Sequence, residues 1–275
     1  APPQLAALQA ELAQVRFVAG AFDAQLVNGQ GLDAIYRSPG LSPASINPIL
    51  IAASAGGIRA GGELSLYSMA LRTLRATQGY APAVLAITGT NGKTTTAWWL
   101  AHALANWKLH TQTGCALVGT LGLGVPPALH SPGKTPPDPV CLQEAFRSYV
   151  DQGLAACAIE ASSIGIEEHR MDGTRIRCAI FTNFTQDHLD YHPGMAAYWQ
   201  AKSVLFDWPG LQAAVVNIDD ARGAELHATL ADRLLDLWSV SITGPARLAA
   251  RDISMGEGGL RFTVAEGVHT HVLQT

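Results

Sequence analysis

The stretch "AITGTNGKTTTAWWLAHAL", Ala86 to Leu104, most restricts what this chain can fold into. An apolar run with strand character enters a glycine-containing turn, and an amphipathic helical segment follows at once. This order is typical of a phosphate-binding loop, in which backbone N–H groups surround an anion and the helix N-terminus adds positive potential. The strict GxxxxGK[ST] pattern is not met, because Ile87 stands five positions before Gly92. The stretch still predicts a nucleotide site.

Each residue type in this loop suits the binding of a nucleotide. Gly89 and Gly92 permit a tight backbone path, Lys93 would reach the β- and γ-phosphates, and the Thr94 hydroxyl would bind Mg²⁺. The alternative is an ordinary strand-to-helix turn with a solvated lysine, which the coincidence of strand, glycines, Lys-Thr and helix disfavours. The predicted nucleotide-binding residues are Gly89, Thr90, Asn91, Gly92, Lys93, Thr94 and Thr95.

The remainder of the chain predicts an α/β fold. Short apolar runs alternate with helical segments, as in a parallel sheet covered by helices. A Gly-Tyr-Ala-Pro stretch after Ala76 is a plausible boundary, so we expect an incomplete Rossmann-like α/β domain over 1–81 and a three-layer, parallel-sheet P-loop domain over 82–275. The tryptophans of the helix after the loop are expected to be core residues. Strand runs begin at Val15, Leu32, Ala83, Leu154, Arg177 and Ala213, with further strand-like alternation from Ser241.

Composition disfavours several classes of partner. The net charge of −4 argues against nucleic-acid binding driven by phosphate attraction. No apolar run approaches the roughly 18–20 residues that span a bilayer, and no signal-peptide order opens the chain. Four cysteines without CxxC spacing indicate buried thiols in a reducing compartment. We therefore expect a cytoplasmic protein with no nucleic-acid or membrane partner. We also expect a monomer.

The sequence TGTNGKT resembles the phosphate loop of the Mur ligases, the ATP-dependent amino-acid-adding enzymes of peptidoglycan assembly. Folylpolyglutamate synthetases have a similar loop. Three downstream stretches resemble the Mur ligases that add the third residue to UDP-N-acetylmuramoyl-L-alanyl-D-glutamate, and "VVNIDD" at Val215 fits them too. They are "KTPPDP" at Lys134, "EASSIGIEEHRMDGT" at Glu160 and "FTNFTQDHLDYHPGMAAYWQAKSVLF" at Phe181.

The resemblance implies a reaction in which ATP phosphorylates a substrate carboxylate and an amine attacks the acyl phosphate. Two anions must meet, so Mg²⁺ and cationic side chains are needed. By resemblance the metal ligands are Thr94, Glu160 and His188, and the catalytic residues are Lys93, Lys202 and His188, with Lys202 carbamylated. Without the resemblance, Glu160 could be a helix cap, His188 a packed or surface histidine, and Lys202 a solvated helix residue.

The resemblance also implies a precursor site at Thr135, Ser162, Glu168 and Arg170, since hydroxyls and a guanidinium suit pyrophosphate and carboxylate recognition. The partners would be the UDP-N-acetylmuramoyl-dipeptide and an amino acid, meso-diaminopimelate in the first instance. Three positions depart from the family pattern. Pro136 replaces a threonine, so one hydroxyl contact is in question, Ile164 replaces a histidine, and Glu168 replaces a common glutamine.

Upstream of the loop the resemblance changes. "AFDAQLVNGQGLDAIYRSPGLSPASINPIL" and "GIRAGGELSLYSMAL" resemble the first domain of the D-glutamate-adding Mur ligases. The chain could join two coding sequences near Gly92, be a natural recombinant, or be one divergent ligase. We expect missing family segments before Ala1 and a missing amino-acid-binding domain after Thr275. The alternative functions are D-glutamate addition and an inactive fragment that binds nucleotide or precursor; a P-loop kinase of another family is disfavoured.

Overall fold

The structure, a computed structural model, describes residues 10, 14–16, 18, 20–37, 43–62, 83–109, 111–131, 133–256 and 259–274. These residues form two compact units, one up to residue 62 and the other from residue 83. The boundary that the sequence predicts after residue 81, and the "GELSL" stretch except for Gly62, lie in 63–82, outside the described residues. The position of the boundary stays a prediction.

The first unit is a small α/β element. A 3₁₀ turn at Ala24–Leu26 precedes β1 (Ala34–Arg37), α1 (Pro43–Ala55) and β2 (Arg59–Gly62). The two strands pair in parallel, and α1 connects them. The strand predicted at Leu32 is thus confirmed as β1. The one predicted at Val15 is not found in its described residues, 14–16, 18 and 20, which form turns and irregular backbone.

The second unit carries thirteen described strands and five described α-helices. The helices are α2 (Lys93–Ala103), α3 (Pro139–Asp151), α4 (Ser163–Glu167), α5 (Met195–Ser203) and α6 (Ala221–Leu230). The first strands are β3 (Ala83–Thr88), β4 (Lys108–Leu109), β5 (Gln112–Thr113), β6 (Cys115–Gly119), β7 (Gly122–Val125), β8 (Ala128–His130) and β9 (Ala156–Glu160). The later strands are β10 (Ile176–Phe181), β11 (Ala213–Asn217), β12 (Asp236–Ser241), β13 (Leu248–Gly256), β14 (Gly259–Glu266) and β15 (His269–Gln274).

Eleven of these strands form one sheet in the order β15-β14-β13-β12-β11-β10-β3-β9-β6-β7-β8. The strands from β13 to β6 in this order pair in parallel, and hairpins extend both edges in antiparallel fashion. β6 and β9 are buried at every position, because a parallel sheet covered on both faces excludes water from both sides of its strands.

Helices cover both faces of this sheet, so the predicted three-layer arrangement is confirmed. On one face α2 packs through Ala97 and Ala101. On the other face α3, α4 and α6 contribute Phe146, Ile166 and Leu226 to a larger core.

The prediction that the tryptophans of this segment are core residues is wrong for Trp99, on α2, and for Trp107, which follows the end of α2. Trp99 is 51% exposed and Trp107 is 38% exposed, whereas Trp98 packs against the core edge and the ring of His102. Two alanines form the buried stripe of α2, and their small side chains let the helix lie close to the sheet. The rings of Trp98 and Trp99 are therefore left at the flank and on the outer face of this helix.

All four cysteines are free thiols, as predicted, although only Cys115 and Cys157 are fully buried while Cys141 and Cys178 are partly buried. None of the helices described is long and apolar enough to cross a membrane. The carboxyl ends of β3, β9 and β10 lie side by side in the sheet, which is the edge where parallel α/β folds bind ligands.

Candidate active site

The turn between β3 and α2 requires glycine at two positions. Gly89 has φ of +144°, and a Cβ atom there would lie 1.9 Å from the Thr182 hydroxyl oxygen. Gly92 has φ of +81° and caps α2 in the left-handed region, which strains other residues. The two glycines of the predicted phosphate loop therefore serve the tight path that the sequence assigned to them.

The loop is anchored to the segment that follows β10. The Thr90 N–H donates to the Asn183 carbonyl at 2.8 Å, and the Asn91 N–H donates to the Asn183 side-chain oxygen at 2.9 Å. The Thr90 hydroxyl donates to the Thr185 carbonyl at 3.0 Å and accepts from the Thr185 N–H at 2.9 Å. The "NFT" part of the motif after β10 thus fixes the position of the loop.

Two lysines converge on the loop from different helices. Lys93, at the start of α2, donates from Nζ to the carbonyls of Gly89 at 2.9 Å and Thr90 at 2.8 Å. Lys202, near the end of α5, is 1% exposed and donates from Nζ to the same Gly89 carbonyl at 2.8 Å. The structure therefore brings together two of the three predicted catalytic residues, and the expectation of a solvated Lys202 does not hold.

Burial changes the protonation of both amines. Desolvation, with a further contribution from the Lys93 charge, lowers the pKa of Lys202 to about 7, against a smaller opposing effect of Asp187. Desolvation also lowers the pKa of Lys93, although the carboxylates of Glu160 and Asp187 oppose the shift. Both lysines are thus more easily deprotonated than solvated lysines, which suits groups that must react or change partner.

Glu160 ends β9 and is 2% exposed. Its Oε2 accepts from the Thr94 hydroxyl at 3.0 Å, and its Oε1 accepts from the Thr120 N–H at 2.7 Å; the Thr120 hydroxyl donates to Oε2 at 3.1 Å. A Cβ at Gly119 would lie 2.2 Å from Oε1, so the β6–β7 turn approaches this carboxylate closely. Among the described residues Glu160 caps no helix, and the helix that follows it, α4, is capped by Ser162. This disfavours the alternative that Glu160 is a helix cap.

His188 lies on the loop after β10 and forms no hydrogen bond or ion pair with Thr94 or Glu160. Its backbone has φ of +51°, its ring lies 5.9 Å from the ring of Tyr198, and its Nε2 lies 3.6 Å from Asp187 Oδ2. The part of the chain that the structure describes contains no cluster of three or more His, Cys, Asp or Glu side chains able to hold a metal. Of the three predicted metal ligands, the structure joins two by a hydrogen bond, Thr94 and Glu160.

Tyr198 on α5 joins the parts of this site, and the sequence did not single it out. Its ring is fully buried, and the Lys202 Nζ lies 4.4 Å from the ring centroid. Its hydroxyl is 3.3 Å from the Thr90 hydroxyl. Its place one helical turn before Lys202 was the only sequence signal for this contact, since residues four apart share a helix face.

The four predicted precursor residues are grouped beside the β9–α4 turn. Ser162 caps α4 through the Gly165 N–H at 3.0 Å and donates to the Thr135 carbonyl at 3.0 Å. The Arg170 guanidinium contacts Glu168 through Nε at 2.8 Å and through one terminal nitrogen. Its other terminal nitrogen donates to the Pro136 carbonyl at 3.3 Å. The segments 135–136, 162–165 and 168–170 thus form one wall, with Glu168 as the ion-pair partner of Arg170.

Residues 87–273 match the family described as the Mur ligase middle domain. The chain belongs to the Mur ligase family. It is 68% identical over 195 residues, 70% of the chain, to a UDP-N-acetylmuramoyl-L-alanyl-D-glutamate--2,6-diaminopimelate ligase of Acidovorax sp. (strain JS42). It is 42% identical over 224 residues, 80% of the chain, to a UDP-N-acetylmuramoylalanine--D-glutamate ligase of Albidiferax ferrireducens. The chain spans 39% of the length of each of these relatives.

The structure is also similar to a solved UDP-N-acetylmuramoyl-L-alanyl-D-glutamate--2,6-diaminopimelate ligase. The TM-score is 0.70 at 25% identity, over 98% of this chain and 59% of that chain. A Mur ligase from Thermotoga maritima in complex with ADP shares the fold, with a TM-score of 0.54 at 13% identity over 96% of this chain and 58% of that chain. These likenesses agree with the resemblance to Mur ligases that the loop and the motifs downstream of it carry.

Proposed function

We propose that this chain carries the nucleotide-binding part of an ATP-dependent acid–amino-acid ligase of peptidoglycan precursor synthesis. The ligase would add an amino acid, meso-diaminopimelate, to UDP-N-acetylmuramoyl-L-alanyl-D-glutamate through an acyl phosphate. The observation that carries this proposal is the buried Lys202 amine, 2.8 Å from a carbonyl of the phosphate loop and with a pKa of about 7. A cytoplasmic location and a monomeric state belong to the same proposal.

In this ligase the phosphate loop would hold ATP. The N–H groups at the start of α2 face the carboxyl edge of the sheet, where the helix dipole favours a phosphate. Lys93 would leave the Gly89 and Thr90 carbonyls and donate to the β- and γ-phosphates, which stabilises the charge of the transferring phosphoryl group. Asn91 and Thr95 are exposed at the loop and at the first turn of α2, where they can contact the nucleotide.

The donor set around Glu160 fits Mg²⁺. A hydroxyl and a carboxylate are the oxygen ligands that this ion takes beside nucleotide phosphates. Glu160 is a buried carboxylate that forms no ion pair closer than 4 Å among the described residues, so a cation would supply the missing charge. Thr94 and Glu160 would hold the ion, and His188 would contribute from the loop after β10. When bound, Mg²⁺ neutralises charge on the phosphates.

Lys202 would act as a carbamate. A neutral lysine amine attacks CO₂, the nitrogen gains a C–N bond and loses a proton, and the side chain becomes an anion. The lowered pKa of Lys202 supplies the neutral amine at physiological pH. The carbamate would then face the metal and the acyl phosphate beside Gly89. An unmodified ammonium at this buried position would instead carry a desolvation cost that the Gly89 carbonyl and the Tyr198 ring offset only in part.

The precursor would bind at the wall formed by Thr135, Ser162, Glu168 and Arg170. The Arg170 guanidinium is the one cation of this group, so it would receive a carboxylate or pyrophosphate oxygen. Its side chain is 14% exposed, and Glu168 is its present partner. The acceptor carboxylate would then approach the phosphate loop along the carboxyl edge of the sheet.

Coupled release of ADP tests this proposal. The 275-residue chain would be given ATP, Mg²⁺ and bicarbonate with one of two pairs of substrates: the UDP-muramoyl-dipeptide with diaminopimelate, or UDP-N-acetylmuramoyl-L-alanine with D-glutamate. ADP release that requires both members of the first pair supports the proposal. Release with the second pair supports D-glutamate addition, which the Albidiferax relative favours.

Binding of ATP without turnover would identify a nucleotide-binding fragment instead. Lys93→Ala is the matched control, and we expect it to abolish ATP binding measured by calorimetry because it removes the side chain that reaches the phosphates. An unchanged ATP affinity in Lys93→Ala would refute the assignment of the phosphate loop.

A further inference from the structure

A buried histidine that the proposed chemistry does not use lies beside the site. His192 is 2% exposed, and its Nε2 lies 2.9 Å from the hydroxyl oxygen of Ser163, which is fully buried. Its Nδ1 lies 3.2 Å from Oε2 of Glu167. Its ring also packs against Tyr198, with 5.2 Å between the ring centroids. Ser163, His192 and Glu167 thus form a chain of three polar groups.

This order of serine, histidine and carboxylate resembles that of a nucleophilic triad, but its setting excludes that role. Ser163 is the first residue of α4, its exposure is 0%, and its hydroxyl is occupied by His192. A nucleophile must be reached by a substrate carbonyl, and this one is covered. With Nδ1–H directed at Glu167, Nε2 of the neutral imidazole accepts a hydrogen bond from the Ser163 hydroxyl. These contacts form a fixed link between α4 and the loop after β10.

The link joins the two segments that carry Glu160 and His188. Ser163 follows Glu160 by three residues and begins α4, directly after the β9–α4 turn. The His192 N–H donates to the His188 carbonyl at 2.9 Å, and the Tyr191 N–H donates to the same carbonyl at 3.2 Å. These bonds hold His188 at φ of +51°, a conformation that is unfavourable without support. The side chain of His192 then ties this turn to the β9–α4 turn.

We infer that the Ser163–His192 hydrogen bond positions the segment of Glu160 relative to the segment of His188, so that both can bind one divalent cation. His192 and Ser163 are positioning residues in this arrangement and bind no ligand themselves. The inference rests on the proposed function, since it takes Glu160 and His188 as the ligands of the cation.

Mn²⁺ binding to the 275-residue chain in the presence of ADP, followed by electron paramagnetic resonance, tests this inference without any turnover. Outer partners of metal ligands typically change metal affinity by about 10- to 100-fold. We expect Ser163→Ala and His192→Leu each to weaken Mn²⁺ binding about tenfold. We expect the double variant to be no weaker than either, because both changes break the same bond. His192→Gln, whose amide can still meet the hydroxyl, should recover part of the affinity.

Two controls separate positioning from general damage. Ser239→Ala changes another buried serine, on β12, whose hydroxyl accepts from the Arg247 backbone N–H at 2.9 Å. This variant should leave the Mn²⁺ affinity unchanged. Thermal unfolding of every variant identifies any that fails to fold, and Ser163→Ala removes a single oxygen atom. Glu160→Gln serves as the reference for loss of a ligand.

The outcomes are distinguishable. Parent-like Mn²⁺ affinity in Ser163→Ala and His192→Leu, with weakened binding in Glu160→Gln, overturns the inference and leaves the proposed function standing. The inference is also overturned if the losses of Mn²⁺ affinity in the two single variants multiply in the double variant. The Ser163–His192 hydrogen bond would then not be the common cause of the two losses. Parent-like binding in Glu160→Gln would overturn the proposed metal site itself.

Discussion

Formation of the Lys202 carbamate is the prediction with the most direct link between structure and chemistry. Only the neutral amine reacts with CO₂. With a pKa of about 7, roughly three quarters of the Lys202 side chains are neutral at pH 7.5, whereas an ordinary lysine with a pKa of 10.5 is neutral in about one molecule in a thousand. The reactive fraction is therefore several hundred times larger at Lys202.

The assay is ¹³C nuclear magnetic resonance of the chain in ¹³C-bicarbonate between pH 6 and 9. We expect one protein carbamate whose rate of formation, corrected for dissolved CO₂, rises with pH and levels off above about pH 7.5, because the amine is then mostly neutral. Lys202→Met should lose the signal. Lys108→Met, which removes an exposed lysine, should keep it.

A corrected rate that continues to rise tenfold per pH unit up to pH 9 would refute the reasoning, because it would show that Lys202 keeps the pKa of a solvated lysine. A signal that survives in Lys202→Met would place the carbamate elsewhere.

Three further perturbations test other parts of the site. Gly119→Ala places a Cβ 2.2 Å from Glu160 Oε1, so we expect a loss of about 1–3 kcal/mol in urea unfolding and weaker Mn²⁺ binding, and parent-like values of both would contradict the contact. Asp220→Ala removes the cap of α6 and the acceptor of the Phe184 N–H at 2.7 Å, so we expect a loss of about 1–2 kcal/mol, against which an unchanged unfolding midpoint would count. In CO₂-free buffer, Lys202 has a lower pKa in the folded chain than in the unfolded chain. Between about pH 7 and 10 the unfolded chain therefore binds more protons at this lysine, and the contribution of Lys202 to the free energy of unfolding rises with pH. Lys202→Met lacks this contribution, and its stability relative to the parent should fall by about 1.4 kcal/mol per pH unit over that range; parallel curves would show an unshifted lysine.

The sequence predicted the parts of the site that are local in the chain. The phosphate loop needs only a strand, two glycines, a Lys-Thr pair and a helix in succession, and a single segment shows all of these. Glu160 directly follows the apolar run that begins at Leu154, which the sequence predicted to be a strand. Local order along the chain is what such patterns encode.

Contacts across the sheet were not predicted, because they depend on strand order. Thr120 reaches Glu160 only because β6 lies beside β9, although the two residues are 40 positions apart. The bond between Ser163 and His192 likewise depends on how α4 packs beside the loop after β10. The burial of Lys202 has the same origin, since α5 places its last turn against Gly89. Hydrophobic periodicity gives each element a buried face but does not state which neighbour covers it.

Because two lysines share one carbonyl, the protonation or modification of one lysine affects the other. Lys93 and Lys202 both donate to the Gly89 oxygen, and the charge of Lys93 disfavours the charged form of Lys202. Carbamylation would change the Lys202 side chain from a cation to an anion, so repulsion of Lys93 would become attraction, and Lys93 would be held in its charged form for a phosphate. The carbamate would at the same time repel that phosphate, and this conflict is resolved only by a cation between the two anions. We expect the buried Glu160, which accepts from the Thr94 hydroxyl, to hold that cation.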